Sequence, residues 1–330
     1  MPISKNSNKS NDSFLFKEDG LIPVNEGGEG KFRVGKDGVK KIFITGDKKV
    51  DFICYKDKVL AYVKSKMGYP AMYPLHPVKI EKPIKAVLMD LDGTSVRSEE
   101  FWVWVIEQTT AKLLGNPKFT LEEADLPYVS GHSVSEHLKH CIDKYCPDKT
   151  VEEARKYYFE ITHREMKAIL DGSGKVDAFK PTPDLKDFLL KLKERKINIG
   201  LVTSGLYEKA WPEIYAAFKQ LNLGDPKEFY DAIITAGFLT RKGEVGTLGE
   251  LEPKPHPWLY AETARVGLGM EFSQRHHVIG IEDSGAGVVS IRLAGFATIG
   301  LDGGNIKDSG TLSLCSHFCN NFDNIHKIII

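Results

Sequence analysis

The sequence predicts an α/β protein: a Rossmann-like parallel sheet core with an inserted α-helical cap domain, plus a small β-rich N-terminal region. Three observations predict it. Short apolar segments alternate with helical segments from residue 84 onward, which is typical of a doubly wound parallel sheet. About a hundred residues with helical apolar spacing separate the first of these strands from the second. Short strand-like runs between glycine-rich turns come before residue 80.

The N-terminal region is assigned to residues 14–82. Its apolar runs are SFLF, LIPV, KFRV, KKIFITG and VDFICY, and turn sequences such as NEGGEG and GKDG separate them. A helix is expected around KVLAYVKSKM (58–67) and a proline-rich linker over 68–83. Residues 1–13, rich in Asn, Ser and Lys, are expected to be a disordered tail. The region carries no chemistry motif, so oligomerisation, contact with a partner and bracing of the core remain open as its role.

The core is assigned to residues 83–96 and 181–330, and the helical cap to residues 97–180. Core strands are predicted at 85–91, 198–204, 230–235, 277–282 and 296–301, with helices at 182–196, 206–221, 256–268 and 287–295. The ligand site of such a sheet lies outside the carboxyl ends of its strands. An insertion directly after the first strand would therefore cover the site as a lid.

Polar residues with chemical potential gather at these strand ends and helix starts. In chain order they are Asp90, Asp92, Gly93, Thr94, Thr203, Ser204, Gly205, Lys254, Glu282 and Asp283. Each motif alone has an ordinary structural interpretation, because an Asp-x-Asp pair can cap a helix and a Thr-Ser-Gly sequence is a common turn. All four motifs in order, each at a strand end or helix start, favour a functional site.

The residue types in this set suit phosphoryl transfer. Carboxylates hold Mg²⁺, which prefers hard oxygen ligands, and helix N-termini bind phosphate oxygens. A lysine supplies positive charge to a developing transition state. One carboxylate can attack phosphorus, and a second can move the proton of the leaving oxygen and later of water. The sequence therefore predicts Mg²⁺-dependent chemistry on a phosphorylated substrate.

The four motifs resemble those of the haloacid dehalogenase superfamily. They are DLDGT (90–94), LVTSG (201–205), KPHP (254–257) and GIEDSGAGV (280–288), and the nearest resemblance is to the sugar-phosphatase and beta-phosphoglucomutase-like branch. The resemblance implies that Asp90 is the nucleophile, that Asp92 is the general acid and base, and that Lys254 supports Asp90 and the phosphoryl oxygens. It implies a phosphate site at Gly93, Thr94, Thr203, Ser204 and Gly205. The implied metal ligands are Asp90, Asp283 and the Asp92 carbonyl, with Glu282 as a ligand or as a partner of one.

The resemblance leaves two reactions open: hydrolysis of the phosphate ester, and a mutase reaction that moves the phosphoryl group to another position of the sugar. The mutases carry a cap arginine in a GxSR-like loop, and the matching loop here, GHSVSEHL (131–138), has Val134 at that position. They also carry Ser-Lys after the second motif, where this chain has Gly205 and Leu206. Both differences remove a phosphate ligand and favour a phosphatase. A non-catalytic protein that keeps the fold is a further alternative, which the complete motif set opposes.

The cap loop also supplies the specificity candidates. Gly131, His132 and Ser133 are candidates for contact with the substrate, although a helix-entry loop would explain them equally well. The cap is not strongly basic, which favours a small, singly phosphorylated metabolite such as a sugar or polyol phosphate. The glycine-rich segment 241–252 is interpreted as a mobile loop near the site.

The composition limits which kinds of partner the protein is expected to bind. Lys+Arg and Asp+Glu both number 45 in 330 residues, which gives no support for a nucleic-acid binder. No run of 18 apolar residues indicates a membrane span. The five scattered cysteines indicate reduced thiols and no Cys-x-x-Cys metal or redox pair. We expect a soluble, cytoplasmic protein, and the sequence leaves its oligomeric state open.

Overall fold

The structure, a computed structural model, describes residues 17–64, 70–129, 134–175, 177–236 and 252–330. Within these ranges, no helix is both long enough and apolar enough to cross a membrane. The expected disordered tail lies outside the described residues. So does the expected mobile loop 241–252, except for its last residue, Glu252.

The N-terminal region is an antiparallel sheet in the order β1-β4-β5-β6-β7, with β2 and β3 as a separate short pair. Its strands are β1 (Ile22–Val24), β2 (Glu26–Gly27), β3 (Phe32–Arg33), β4 (Lys41–Ile44), β5 (Val50–Cys54), β6 (Val59–Val63) and β7 (Ala71–Pro74). The central strand β5 is buried along its whole length. The predicted β-rich region is therefore confirmed.

Two details of that region were predicted wrongly. The segment expected to be a helix, 58–67, contains strand β6, which pairs antiparallel with both β5 and β7. Hydrogen bonding to two neighbouring strands outweighs local helix propensity here, and Val59, Ala61 and Val63 are all buried. The expected linker contains β7, an edge strand, where a terminal proline is tolerated.

The core is a six-stranded sheet in the order β12-β11-β8-β13-β14-β15, and every pairing is parallel. The remaining strands are β8 (Ala86–Asp90), β9 (Val96–Arg97), β10 (Lys180–Pro181), β11 (Asn198–Val202), β12 (Ala232–Ile234), β13 (Val278–Glu282), β14 (Ala297–Leu301) and β15 (His317–Cys319). The five predicted core strands are confirmed. Strand β15 was not predicted, since it has only three residues and is only partly apolar.

Helices flank this sheet and build the cap. They are α1 (Glu99–Leu114), α2 (Val134–Tyr145), α3 (Val151–Leu170), α4 (Leu185–Glu194), α5 (Tyr207–Leu221), α6 (Pro226–Phe229), α7 (Trp258–Glu262), α8 (Gly285–Leu293) and α9 (Phe322–Ile329). Shorter 3₁₀ segments span Glu123–Tyr128, Phe272–His277 and Thr311–Leu314, and a π turn spans Thr263–Gly267. Helices α1, α2 and α3 form the predicted cap, and the fold class is confirmed.

The cap leaves and rejoins the core at one place. Strands β9 and β10 pair antiparallel, with Val96 opposite Pro181 and Arg97 opposite Lys180. The outgoing and returning chain segments are therefore joined by main-chain hydrogen bonds.

The N-terminal sheet packs on the core through a shared apolar cluster. Phe43 and Phe52 of the sheet belong to the same buried cluster as Val288, Val289 and Leu293 of α8. Helix α8 directly follows the strand that ends at Glu282, so the sheet lies against an element that supports the candidate site.

Candidate active site

Three carboxylates meet where strands β8 and β13 end. Asp90 is the last residue of β8, Glu282 is the last residue of β13, and Asp283 follows it. The two strands are hydrogen-bonded neighbours, so their ends coincide. One oxygen from each carboxylate lies within 4.8 Å of the others, and all three residues are buried. The sequence prediction that these acids come together agrees with this geometry.

Lys254 lies among these carboxylates. Its ammonium donates to Asp90 Oδ1 and, at 2.5 Å, to Glu282 Oε1. Glu282 Oε1 also accepts from the Tyr260 hydroxyl at 2.8 Å, and its Oε2 accepts from the Ser284 amide and hydroxyl at 3.1 and 2.9 Å. Both oxygens of Glu282 are thus engaged by protein donors. In this structure the Glu282 carboxylate is an ion-pair partner of Lys254.

The turn after β8 packs directly on Asp283. Gly93 has φ +83°, and a Cβ atom there would lie 2.2 Å from Asp283 Oδ2, so only glycine fits. The hydroxyl of Thr94 is fully buried and donates to Asp283 Oδ1 at 2.9 Å. The side chain of Thr94, a predicted phosphate ligand, therefore orients Asp283 in this structure.

The electrostatics of the cluster are dominated by burial and like charge. Burial, followed by the neighbouring Glu282, raises the pKa of Asp90 well above its ordinary value despite Lys254. The same two causes raise the pKa of Asp283 to about 7, against the hydrogen bond from Thr94. Burial alone would lower the pKa of Lys254, but Asp90 and Glu282 outweigh it and raise the pKa. Around one ammonium, three carboxylates leave the cluster short of positive charge.

A divalent cation fits this donor set. The hydrogen bonds shown for Asp90 and Asp283 use Oδ1 of each residue, and both carboxylates are hard oxygen donors of the kind that Mg²⁺ prefers. A bound cation would also lower the raised pKa values, because it favours the ionised form of each acid.

Asp92 lies in a separate environment. Its Oδ1 accepts from the Ser98 hydroxyl at 2.7 Å and lies 3.5 Å from the ammonium of Lys209. Burial would raise the pKa of Asp92, but Lys209 and the Ser98 hydrogen bond outweigh it and lower the pKa. The side chain is 35% exposed and does not belong to the carboxylate cluster. Asp90 and Asp92, with a single residue between them, thus have pKa values shifted in opposite directions.

The predicted phosphate loop follows β11, next to β8 in the sheet. Thr203 is buried, and its hydroxyl accepts from the Gly205 amide at 2.9 Å. Ser204 is exposed, and its hydroxyl accepts from the backbone amide of Lys254 at 3.1 Å. The structure therefore connects this loop with the lysine segment. The cap candidates Gly131, His132 and Ser133 lie outside the described residues.

Two residues of α5 were missed by the sequence analysis. Lys209 contacts Asp92, and its ammonium also lies 3.6 Å from Glu213 Oε1 and 4.3 Å from the ring centre of Trp102. Glu213 is fully buried, and burial followed by Asp92 raises its pKa well above the ordinary value. The i,i+4 spacing of a lysine and a glutamate on the helix after the Thr-Ser-Gly motif was the available signal, but such pairs are usually surface pairs.

Comparison with known proteins assigns the chain to a family. A family model described as haloacid dehalogenase-like hydrolase matches residues 84–295, which is more than half of the chain. The chain belongs to that family, as its motifs indicated. No curated protein matches it.

Solved structures of low sequence identity share the fold. A predicted phosphoglycolate phosphatase from Haemophilus somnus has a TM-score of 0.55 at 18% identity and covers 76% of this chain and 99% of its own. A family IA hydrolase from Entamoeba histolytica has a TM-score of 0.53 at 20% identity, covering 74% and 97%. A protein named as a candidate beta-phosphoglucomutase from Thermotoga maritima has a TM-score of 0.52 at 18% identity, covering 74% and 100%.

Proposed function

We propose that this haloacid dehalogenase-like hydrolase is a Mg²⁺-dependent phosphatase that hydrolyses a small phosphorylated metabolite, a sugar or polyol phosphate, through an aspartyl-phosphate on Asp90. One observation carries the proposal. Asp90 is buried in a cluster short of positive charge beside Lys254, whereas Asp92 lies apart from it with its own donors. The two aspartates therefore have the separate environments that a nucleophile and an acid–base group need.

In the first step Asp90 attacks the substrate. A carboxylate oxygen of Asp90 forms a bond to phosphorus, and the ester P–O bond breaks with its electron pair going to the leaving oxygen. Asp92 gives that oxygen a proton. Lys254 holds Asp90 and adds positive charge next to the phosphoryl oxygens, and the Thr203 hydroxyl and the Ser204 amide would bind these oxygens.

In the second step water hydrolyses the aspartyl-phosphate. Asp92, now ionised, takes a proton from the water, whose oxygen bonds to phosphorus while the bond to Asp90 breaks. Ser98 and Lys209 favour the ionised form of Asp92 in the free protein, which suits this step. A dianionic substrate nearby would favour the protonated form that the first step requires.

The metal would be held by Asp90, Asp283 and the backbone carbonyl of Asp92. Its contribution when bound is positive charge that neutralises the carboxylates and the phosphoryl oxygens together. The engaged oxygens of Glu282 favour support of Lys254 over direct metal ligation.

The sequence lacks cationic residues that the mutases use to bind a second phosphate, and this difference favours a phosphatase. Val134, at the start of α2, and Gly205 with Leu206 stand where mutases carry an arginine and a Ser-Lys pair. Lys209 adds a cation one helical turn later, but Asp92 and Glu213 engage it. A second, non-reacting phosphate would therefore find few partners.

Phosphate release from a panel of phosphorylated sugars, polyols and nucleotides tests the proposal. We expect Mg²⁺-dependent release from one or a few members, and none from an Asp90→Asn variant purified in parallel. Release that survives in Asp90→Asn would exclude the aspartyl-phosphate. If no member releases phosphate while a hexose 1-phosphate isomerises in the presence of a bisphosphate activator, the protein is a mutase.

A further inference from the structure

The N-terminal sheet contacts the lysine segment through one tyrosine. The hydroxyl of Tyr73, on edge strand β7, lies 2.8 Å from His256 Nδ1. The Tyr73 ring meets the rings of His256 and Trp258 edge to face, with centroid distances of 5.8 and 5.9 Å. These partners are about 180 residues apart in sequence, so the contact depends on how the sheet docks on the core.

The backbone of His256 is held as well. The residue is 4% exposed, and its carbonyl accepts from the Ser290 hydroxyl of α8 at 2.5 Å. Its amide donates to the carbonyl of Pro253 at 3.1 Å. Burial, against the nearby Glu252 carboxylate, lowers the pKa of His256 and so favours the neutral ring, which can share a hydrogen bond with the Tyr73 hydroxyl.

Lys254 lies two residues before His256 in the same turn. Its backbone amide is held by Ser204, and its ammonium reaches both Asp90 and Glu282. A shift of the turn by a fraction of an ångström would move the ammonium relative to both carboxylates, and displacement of a catalytic group by about 1 Å can cost about 100-fold in rate.

The sheet itself is firmly placed. Phe43 and Phe52 share a buried apolar cluster with α8, and the Gly46 amide donates to the Ser309 carbonyl at 2.8 Å. Since the hydrolase family model begins at residue 84, the sheet precedes the matched region. The sheet is therefore an addition to the catalytic domain that reaches the catalytic lysine segment.

We propose that the N-terminal sheet positions Lys254, with Tyr73 as the positioning residue acting through its hydrogen bond to His256. The proposal deepens the phosphatase function and rests on it for the role of Lys254. It assigns a purpose to the region of the chain in which the sequence shows no chemistry.

The test compares Tyr73→Phe with Tyr62→Phe. Both variants lose one hydroxyl from the same sheet, but the Tyr62 hydroxyl bonds to Glu29 at 2.8 Å and to Lys31 at 3.2 Å, away from the site. Tyr73→Phe keeps the ring that packs on His256 and Trp258. We expect kcat to fall about 3- to 10-fold in Tyr73→Phe, the size of one hydrogen bond, with a smaller change in KM. Tyr62→Phe should retain the wild-type kcat.

Two further variants separate positioning from general stability. His256→Asn places an amide near the position of Nδ1 and should keep kcat close to wild type, whereas His256→Leu should lose as much as Tyr73→Phe. In a Lys254→Ala background, Tyr73→Phe should cause no further fall. An equal fall in that background would overturn the proposal, because Tyr73 would then act other than through the lysine.

Hydrogen exchange provides a readout that does not depend on activity. The backbone amides of residues 254–262 should exchange faster in Tyr73→Phe than in wild type. In Tyr62→Phe their exchange rates should match those of wild type. Unaltered exchange in Tyr73→Phe, together with unaltered kcat, would refute the positioning role. If the wild-type protein releases no phosphate from any substrate, the phosphatase function fails, while the exchange comparison still decides whether the sheet holds this turn.

Discussion

Two buried acid centres in this protein have opposite electrostatics. At the sheet edge, Asp90, Glu282 and Asp283 surround one lysine, and the pKa values of Asp90 and Asp283 are raised. In the cap, Asp125 is 1% exposed, and its pKa is lowered. In both places burial by itself acts to raise the pKa of the carboxyl group. What differs is the number of donors that each carboxylate receives.

The cap centre is fully satisfied. Asp125 accepts from Lys144 and His140 at 2.8 Å each, from the Tyr145 hydroxyl, and from the Glu122 amide at 3.0 Å. These donors favour the ionised form and tie α2 to the Glu123–Tyr128 segment. The sheet-edge cluster instead has three carboxylates around one ammonium, and the pKa values of Asp90 and Asp283 stay raised. Burial of an acid alone therefore indicates neither function nor stability.

Replacing Asp90 should break the comparison most strongly. We expect Asp90→Asn to lose at least about 10³-fold in kcat, because it removes the proposed nucleophile. Without metal, the same variant should have a higher melting temperature than wild type, since it removes one of the crowded charges. Phosphate release and metal-free thermal unfolding measure the two effects. A lower melting temperature would mean that Asp90 is needed to hold Lys254.

Asp92→Asn should give the next largest loss. Turnover should fall by a factor of about 10² or more, the usual size of general acid–base assistance. Because Asp92 lies outside the carboxylate cluster, the Mg²⁺ concentration for half-maximal activity should change little. Steady-state kinetics across a metal titration test both statements, and near-normal turnover would remove Asp92 from the acid–base role.

Magnesium should stabilise the protein through the sheet-edge cluster. At a hundred times its dissociation constant, Mg²⁺ should raise the free energy of unfolding by about 2.7 kcal/mol. Asp283→Asn should lose most of this gain, and Asp125→Asn should keep it. Thermal unfolding with and without the ion measures the difference, and an equal gain in Asp283→Asn would place the ion elsewhere.

Asp125→Asn should have the smallest effect, and only on stability. Loss of a charged acceptor with several donors should lower the free energy of unfolding by about 1–3 kcal/mol, while kcat is largely retained. Chemical denaturation monitors the first quantity and phosphate release the second. A large kcat loss in a folded variant would link the cap centre to catalysis.

The pH dependence of stability sharpens the contrast. Asp125 has a lowered pKa when folded, so its contribution is present above about pH 4 and is lost as the pH falls below that value. The pKa of Asp283 rises from 3.8 to about 7, so the metal-free folded protein binds the extra proton between these values. Its contribution is therefore lost as the pH rises toward 7. Metal-free unfolding curves of the Asp125→Asn and Asp283→Asn variants should flatten opposite limbs of the profile.

The sequence predicted the sheet edge well because its motifs are local. Asp90 and Glu282 each end an apolar strand, Asp92 and Asp283 come just after them, and parallel strands bring their carboxyl ends to one edge. Strand β6 was mistaken for a helix because its identity depends on pairing with β5 and β7, which no local pattern shows.

The supporting residues were beyond local pattern for the same reason. Lys209 and Glu213 are typical of a helix surface until α5 is packed against Asp92. Tyr73 meets His256 only after two separate regions of the chain dock. Candidate site residues could thus be proposed from the sequence, while the residues that contact them became visible only in the tertiary structure.

The paired strands β9 and β10 have a consequence for how this protein can evolve. Because β9 and β10, the two ends of the cap, pair with each other at Val96–Pro181 and Arg97–Lys180, most of the segment between them can change in length or sequence without altering the path of the core. Ser98 and Trp102, which contact Asp92 and Lys209, are the exceptions. Selection can then act on the helices above the sheet while the reaction centre is inherited unchanged. A graft of the segment from another member, joined at these two strands, would be a natural way to exchange one substrate preference for another.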